Sequence, residues 1–157
     1  MKTAGIIPAR YGSTRLPGKP LLEIQGRPMV WWVCERARRA RRLDKVWVAT
    51  DDRRIEEACR GRQIPVVMTG REHRTAAERP QEAAEQVRAD FYVQINGDEP
   101  LIDPANIDAA VPDEVPLDVE FGTNIIARVK DLGQLCHASN IKVVFDDSFR
   151  ALYMSRT

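Results

Sequence analysis

Arg10, Arg15 and Lys19 lie close together in the stretch Pro8-Ala9-Arg10-Tyr11-Gly12-Ser13-Thr14-Arg15-Leu16-Pro17-Gly18-Lys19-Pro20. Glycine lets the backbone turn where other residues would clash, so successive N–H groups can face one anion. The three cations and the hydroxyls of Ser13 and Thr14 add what a polyphosphate needs. The expected nucleotide contacts here are Pro8, Ala9, Arg10, Gly12, Ser13, Thr14, Arg15 and Lys19. A plain surface turn with solvated charges is the competing reading, but loops this dense in glycine and cations usually carry function. A P-loop is not expected. Five residues separate Gly12 from Gly18, and Pro20 follows Lys19 where a metal-binding hydroxyl would stand.

A second chemical feature is Asn96-Gly97-Asp98-Glu99-Pro100. A carboxylate just past a strand end, facing a cationic loop, is a natural seat for magnesium, which takes one or two carboxylates plus substrate phosphates. Asp98 is the expected Mg2+ ligand; the alternative is an ordinary turn aspartate. His73 could act as a base or be a satisfied loop histidine. Asp51-Asp52 could suggest a metal, but capping of the following helix is the commoner use of such a pair.

These residues need a frame. Ala4 to Pro8 reads as a short buried strand, and Lys45 to Thr50 as a second, alternating and β-branched one. Pro65 to Thr69 and Phe91 to Ile95 read as the third and fourth. Gly26-Arg27-Pro28 is expected to open the first helix, with Val30, Val33, Cys34 and Ala37 on one face and at least one of Trp31 and Trp32 on the sheet. The basic run Arg36 to Arg42 should end that helix as solvated cations. Arg53 to Arg60, a segment starting near Pro80 and Pro104 to Ala110 read as further helices. Val111 to Asp118 reads as a surface connection, Val119 to Val129 as a longer strand, and Gly133 as part of a turn. Ile141 to Phe145 and Ala151 to Met154 read as a hairpin through Asp146-Asp147-Ser148. Strands alternating with helices imply an α/β fold, Rossmann-like, with a mostly parallel sheet and helices on both faces. Ligands bind such sheets off the carboxyl ends of the strands. The phosphate loop, the loop after the third strand and the turn after the fourth all fall there. No Rossmann glycine fingerprint and no internal repeat is present.

The 157 residues suit one domain with a real core, and the net charge of +1 argues against general nucleic-acid binding. No stretch approaches the length of a membrane span. Cys34, Cys59 and Cys136 are scattered, which suggests reduced thiols and a cytoplasmic protein. Arginine and alanine dominate, as in a GC-rich coding genome.

The stretch Ile7 to Leu21 resembles the signature loop of the CMP-Kdo synthetases, the 3-deoxy-manno-octulosonate cytidylyltransferases. The resemblance implies a fold of the nucleotide-diphospho-sugar transferase type and transfer of CMP from CTP with release of pyrophosphate. Arg10, Arg15, Lys19 and Asp98 would then be catalytic. Gly97-Asp98-Glu99-Pro100-Leu101-Ile102 is similar to the family's QGDEPLI, whose aspartate holds magnesium. Met68-Thr69 followed by His73, Thr75 and Arg79 resembles the segment that cradles cytidine, which implies nucleotide contacts at Thr69, Thr75 and Arg79. Ala76, Ala77 and Glu78 depart from that segment. Gly97 joins the nucleotide contacts, as does Asn96, which stands where the family's glutamine approaches the sugar acid. Asn140 to Phe145 and Ala151 to Arg156 resemble the family's VKVV and ALYFSR segments.

The resemblance reaches only the first part of the family's length, so residues 1–157 are expected to form a cytidylyltransferase domain of a longer protein. The expected partners are CTP and a small anionic acceptor, with no nucleic acid and no membrane. A fused second catalytic domain and a homo-oligomer both stay open. The favoured acceptor is a phosphonate such as 2-hydroxyethylphosphonate, as in fosfomycin-type antibiotic biosynthesis. Its oxygen is already ionised near neutrality and needs no general base. The alternatives are a CMP-Kdo synthetase fragment acting on a sugar acid and a non-catalytic CTP-binding module.

Overall fold

Thr3 to Pro8 is apolar on both of its faces because both are covered, and it forms β1 at the interior of the sheet. A computed structural model of the chain describes residues 1–12, 16–73, 75, 77–116 and 119–156. They divide into two compact units, Met1–Thr123 and Asn124–Thr157. In the first unit β1 is followed by a 3-10 turn (Lys19–Leu21), β2 (Glu23–Ile24), β3 (Arg27–Pro28) and α1 (Met29–Ala37). Then come β4 (Lys45–Thr50), α2 (Arg53–Arg60), β5 (Val66–Met68), α3 (Glu78–Gln86), β6 (Phe91–Gln94) and α4 (Pro104–Ala110).

The main sheet has the order β5-β4-β1-β6, and every pairing in it is parallel. Ile6 lies level with Trp47 on one side and Gln94 on the other. On one face Ile7, Val46, Val48, Val93 and Ile95 pack against Val30, Val33, Cys34 and Ala37 of α1, with Ile55, Cys59 and Ile107 beside them. On the other face Ala4, Ile6, Ala49 and Val67 meet Ala83 of α3 and Val87. The α/β class and helices on both faces are therefore as expected. Ile6 and Ile7 are fully buried on opposite faces, so truncating either to alanine should cost about 2–5 kcal/mol.

Topology places the mouth of the sheet. From β1 the chain steps outward through β4 to β5, then crosses back through α3 to β6 on the far side of β1. The strand order reverses between β1 and β6. Their carboxyl ends flank the crevice where doubly wound sheets take ligands.

Several expectations need correction. Gly26-Arg27-Pro28 does not open α1. Gln25 and Gly26 both have positive φ (49° and 74°), the pattern of a two-residue hairpin turn, and Arg27–Pro28 pairs antiparallel with Glu23–Ile24. The helix starts one residue later, at Met29, with Pro28 extended at its N-cap. α3 starts before Pro80, whose missing N–H falls in the first turn where no intrahelical acceptor exists. The basic run outlasts its helix and is only partly solvated. Arg36 Nε donates to the Ile102 carbonyl at 2.9 Å, and the Arg42 guanidinium reaches the Pro112 carbonyl and Asp113. Residues 119–129 form no strand among the described residues, because no neighbouring strand offers them a ladder.

The second unit holds α5 (Leu132–Cys136), which takes the place of the expected turn at Gly133, and the antiparallel pair β7 (Lys142–Phe145) and β8 (Ala151–Ser155). That hairpin agrees with the sequence reading. Among the described residues no helix is long and apolar enough to cross a membrane.

Candidate active site

Four parallel strands discharge their loops on one edge, so residues far apart in sequence must gather there. Ala9 leaves β1 still bound to the sheet: it is buried, and its N–H donates to the Ala49 carbonyl at 2.8 Å. The Ala9 amide is therefore committed to the sheet. Arg10 is exposed and has no partner among the described residues. Gly12 is exposed, with open space around it. Ser13, Thr14 and Arg15, all expected at the phosphates, lie outside the described residues.

The loop closes at its neck. Gly18 N–H donates to the Tyr11 carbonyl at 2.8 Å. Gly18 has φ +70°, and a Cβ there would stand 3.0 Å from the Tyr11 ring, so this turn calls for glycine. The chain then enters the 3-10 turn, anchored by buried Pro20, and Lys19 reaches out to Asp98: Nζ to Oδ2 is 2.8 Å. The cationic loop and the carboxylate expected to carry metal are thus in contact.

Asp98 is brought there by a close approach of two backbones. Ile95 N–H donates to the Ile6 carbonyl at 2.9 Å, extending the β1–β6 ladder past β6. At Gly97 a Cβ would lie 2.5 Å from the Pro8 carbonyl oxygen, closer than any side chain permits. Asn96 donates from Nδ2 to Glu99 Oε1 at 2.7 Å across the same turn.

A second cluster joins the exits of β4 and β5 to α3. Arg79 is only 5% exposed. Its guanidinium pairs with Asp51 at 3.3 Å and donates to the Thr69 hydroxyl and the Gly70 carbonyl. Glu82 accepts the Gly70 N–H with both oxygens, and its Oε2 lies 2.6 Å from His73 Nε2. Thr75 donates to Glu78 Oε1 at 3.1 Å. Thr69 and Arg79 therefore hold the rim from beneath rather than facing solvent. His73 is held by its contact with Glu82.

Sequence reasoning missed Asp51 and Glu82 as parts of this cluster. A usable signal existed for Asp51. Only one of two adjacent aspartates can cap α2, and Asp52 does so, accepting the Arg54 N–H at 3.0 Å. Asp51 Oδ1 is buried without a partner among the described residues.

No three acidic, histidine or cysteine side chains group as a metal cage among the described residues. Magnesium does not need one, since it is commonly held by a single carboxylate with substrate phosphates and water. The exposed Asp98 carboxylate, a hard oxygen donor beside a polyphosphate-type loop, fits that use. The edge as a whole offers Lys19 held beside Asp98, the exposed Arg10 and glycine-shaped backbone, which suits charge neutralisation and placement of a polyphosphate.

A family model described as cytidylyltransferase matches residues 4–157. The 3-deoxy-manno-octulosonate cytidylyltransferase of Geobacter metallireducens is 46% identical over 158 residues, which cover 100% of this chain and 62% of that protein. The 8-amino-3,8-dideoxy-manno-octulosonate cytidylyltransferase of Shewanella halifaxensis is 40% identical over 161 residues, covering 99% of this chain and 65% of that protein. A solved structure of CMP:2-keto-3-deoxy-manno-octonic acid synthetase complexed with CTP superimposes with a TM-score of 0.84 at 33% identity, covering 100% of this chain and 65% of that one. The chain thus spans 62% of the length of the first of these and 65% of the other two.

Proposed function

Since the chain belongs to the cytidylyltransferase family through residues 4–157, we propose that it transfers CMP from CTP to a sugar acid of the 3-deoxy-manno-octulosonate class, releasing pyrophosphate. The observation that carries this reading is the 2.8 Å contact between Lys19 and Asp98, which joins the cationic loop to the carboxylate at the switch point of the sheet.

The reaction is an in-line displacement at the α-phosphorus. The hydroxyl oxygen of the sugar acid forms the new P–O bond and gives up its proton to solvent water, the bond from the α-phosphorus to the bridging oxygen breaks, and pyrophosphate leaves with the electron pair. Lys19, Arg10 and Arg15 neutralise the triphosphate and the charge that grows on the departing pyrophosphate. Asp98 keeps the Lys19 ammonium turned toward the mouth until the nucleotide arrives. Mg2+, held by Asp98 and the phosphates, would polarise the α-phosphate and screen its charge. Thr69 and Arg79 act as positioning residues for the rim between β4 and β5, and Gly97 lets the turn after β6 close on Pro8 at the end of β1. Thr75 and Asn96, exposed beside these groups, stand as nucleotide or acceptor contacts.

The acceptor is argued from the named relatives, which act on octulosonates. The sequence reading favoured a phosphonate, and none of the relatives above supports that choice. Its basis lies in the shortened length, the departure of Ala76, Ala77 and Glu78 from the family's segment, the arginine-rich composition and an acceptor oxygen that needs no base, so 2-hydroxyethylphosphonate stays in the test. Pyrophosphate release is measured with CTP, magnesium and one of four additions: 3-deoxy-manno-octulosonate, its 8-amino analogue, 2-hydroxyethylphosphonate or a hexose 1-phosphate. Release with an octulosonate alone is expected. Release with the phosphonate alone moves the acceptor class, and CTP binding with no release under any acceptor replaces the transferase by a binding module.

A further inference from the structure

One cation at the rim is unused by this mechanism. Arg54, in the first turn of α2, lies over the Tyr11 ring, its guanidinium carbon 3.2 Å from the ring centroid. Its Nε and Nη2 fork onto Asp52, at 2.9 Å to Oδ1 and 2.7 Å to Oδ2. Such a two-point grip sets the plane of a guanidinium as well as its place. Asp52 is itself anchored, because its N–H donates at 3.2 Å to the hydroxyl of Thr50, the fully buried last residue of β4. The grip on Tyr11 therefore starts from the rigid sheet.

Tyr11 relays it to the loop. Its carbonyl accepts the Gly18 N–H, and its ring occupies the space a Cβ at Gly18 would need. Lys19 follows directly, and α2 packs on the 3-10 turn that Lys19 opens. A continuous run of contacts thus leads from Thr50 through Asp52, Arg54, Tyr11 and Gly18 to Lys19.

We infer that Arg54 is a positioning residue for nucleotide binding: stacked on Tyr11 and forked by Asp52, it holds the neck of the cationic loop in the shape that receives the triphosphate. The inference rests on the reading of that loop as the triphosphate seat. Arg54 acts through the planarity of its head group rather than through its charge. Lysine, a point charge without a stacking plane, should not replace it.

The test measures CTP binding directly, together with KM and kcat, for the wild type, Arg54→Ala, Arg54→Lys, Tyr11→Leu and the Arg54→Ala/Tyr11→Leu double variant. Thermal melting of each reports folding. Arg54→Ala is expected to weaken CTP binding on the order of 3- to 10-fold, with kcat within about 2-fold of wild type and cooperative melting retained at a slightly lower temperature. Arg54→Lys should match Arg54→Ala, and the double variant should be no weaker than Tyr11→Leu alone. Full rescue by lysine, additive losses, or unchanged CTP binding in Arg54→Ala would each overturn the inference. A wild type that binds no CTP overturns instead the triphosphate reading of the loop. If Tyr11→Leu fails to melt cooperatively, the alanine-against-lysine comparison decides the matter.

Discussion

Lys19 and Asp98, 79 residues apart in sequence, meet at 2.8 Å across the exits of β1 and β6. Their side chains are 36% and 56% exposed, so water screens the pair and it adds little to folding. Its worth lies in placing opposite charges where a phosphate chain and a divalent ion would enter.

Lys19→Ala should leave the melting curve nearly unchanged and remove about 2–4 kcal/mol of transition-state stabilisation, roughly 30- to 1000-fold in kcat/KM. Asp98→Asn should show the same separation, with an added rise in the magnesium concentration needed for half-maximal rate. Denaturation and pyrophosphate release, measured on the same samples, check both. A loss of stability as large as the loss of activity would contradict the assignment.

Gly97→Ala should behave in the opposite way. The added methyl meets the Pro8 carbonyl, and Pro8 is held by its pairing with Ala49 while Gly97 lies two residues past Ile95, whose N–H is bonded to the Ile6 carbonyl. A cost of about 1–3 kcal/mol is expected from overpacking alone. Gly12→Ala has open space and should change stability by less than about 0.5 kcal/mol. Urea melts of the two variants make the comparison.

Removing one partner of a buried ion pair strands the other. Asp51→Ala should therefore cost about 3–5 kcal/mol, because Arg79 is left inside without its carboxylate. Adding Arg79→Met to that variant should recover part of the loss. Chemical denaturation of the single and double variants provides the reading.

Asp52 carries a pH signature. Hydrogen bonding from the Arg54 side chain is the main cause holding its carboxyl below the ordinary value of 3.8, with the backbone N–H at the helix start helping. A carboxyl depressed on folding stabilises the folded state above its unfolded pKa, and that contribution fades as pH falls through the lower, folded value. Asp52→Asn keeps a good N-cap but cannot titrate. Its stability should fall less steeply than wild type below about pH 4. Parallel acid-unfolding profiles that coincide would refute this.

Thiol reactivity should sort the three cysteines. Burial is the main cause raising the Cys59 thiol to about 11 and Cys34 higher still. Cys136 is exposed. A disulfide reagent near neutral pH should label Cys136 quickly and the other two only on unfolding.

Legibility followed locality. α2 and α4 were readable to the residue, as was β4, because caps and alternation lie within a few positions of the elements they define. That the loop after β1 and the turn at Gly97 gather at one edge of the sheet was readable from the alternation of strands and helices, and the Lys19–Asp98 contact agrees with it. The hairpin at Gln25-Gly26 was masked by a proline that suits a helix start equally well. Apolar residues between 119 and 129 read as a strand because composition says nothing about whether a partner strand is in reach. The tie between Asp51 and Arg79 joins the exits of two different segments, and the commitment of the Ala9 amide to Ala49 depends on register, so neither could be read along the chain.

The central place of β1 has a cost in assembly. β1 is made before either of its neighbours, since the strands that flank it begin at Lys45 on one side and at Phe91 on the other. A nascent chain must therefore carry Ile6 and Ile7 unpaired along one edge until Phe91–Gln94 has emerged, a period in which sticky, half-built intermediates invite chaperones. The mouth between β1 and β6 comes into being only with that last pairing, so no earlier intermediate on the ribosome could hold a nucleotide there.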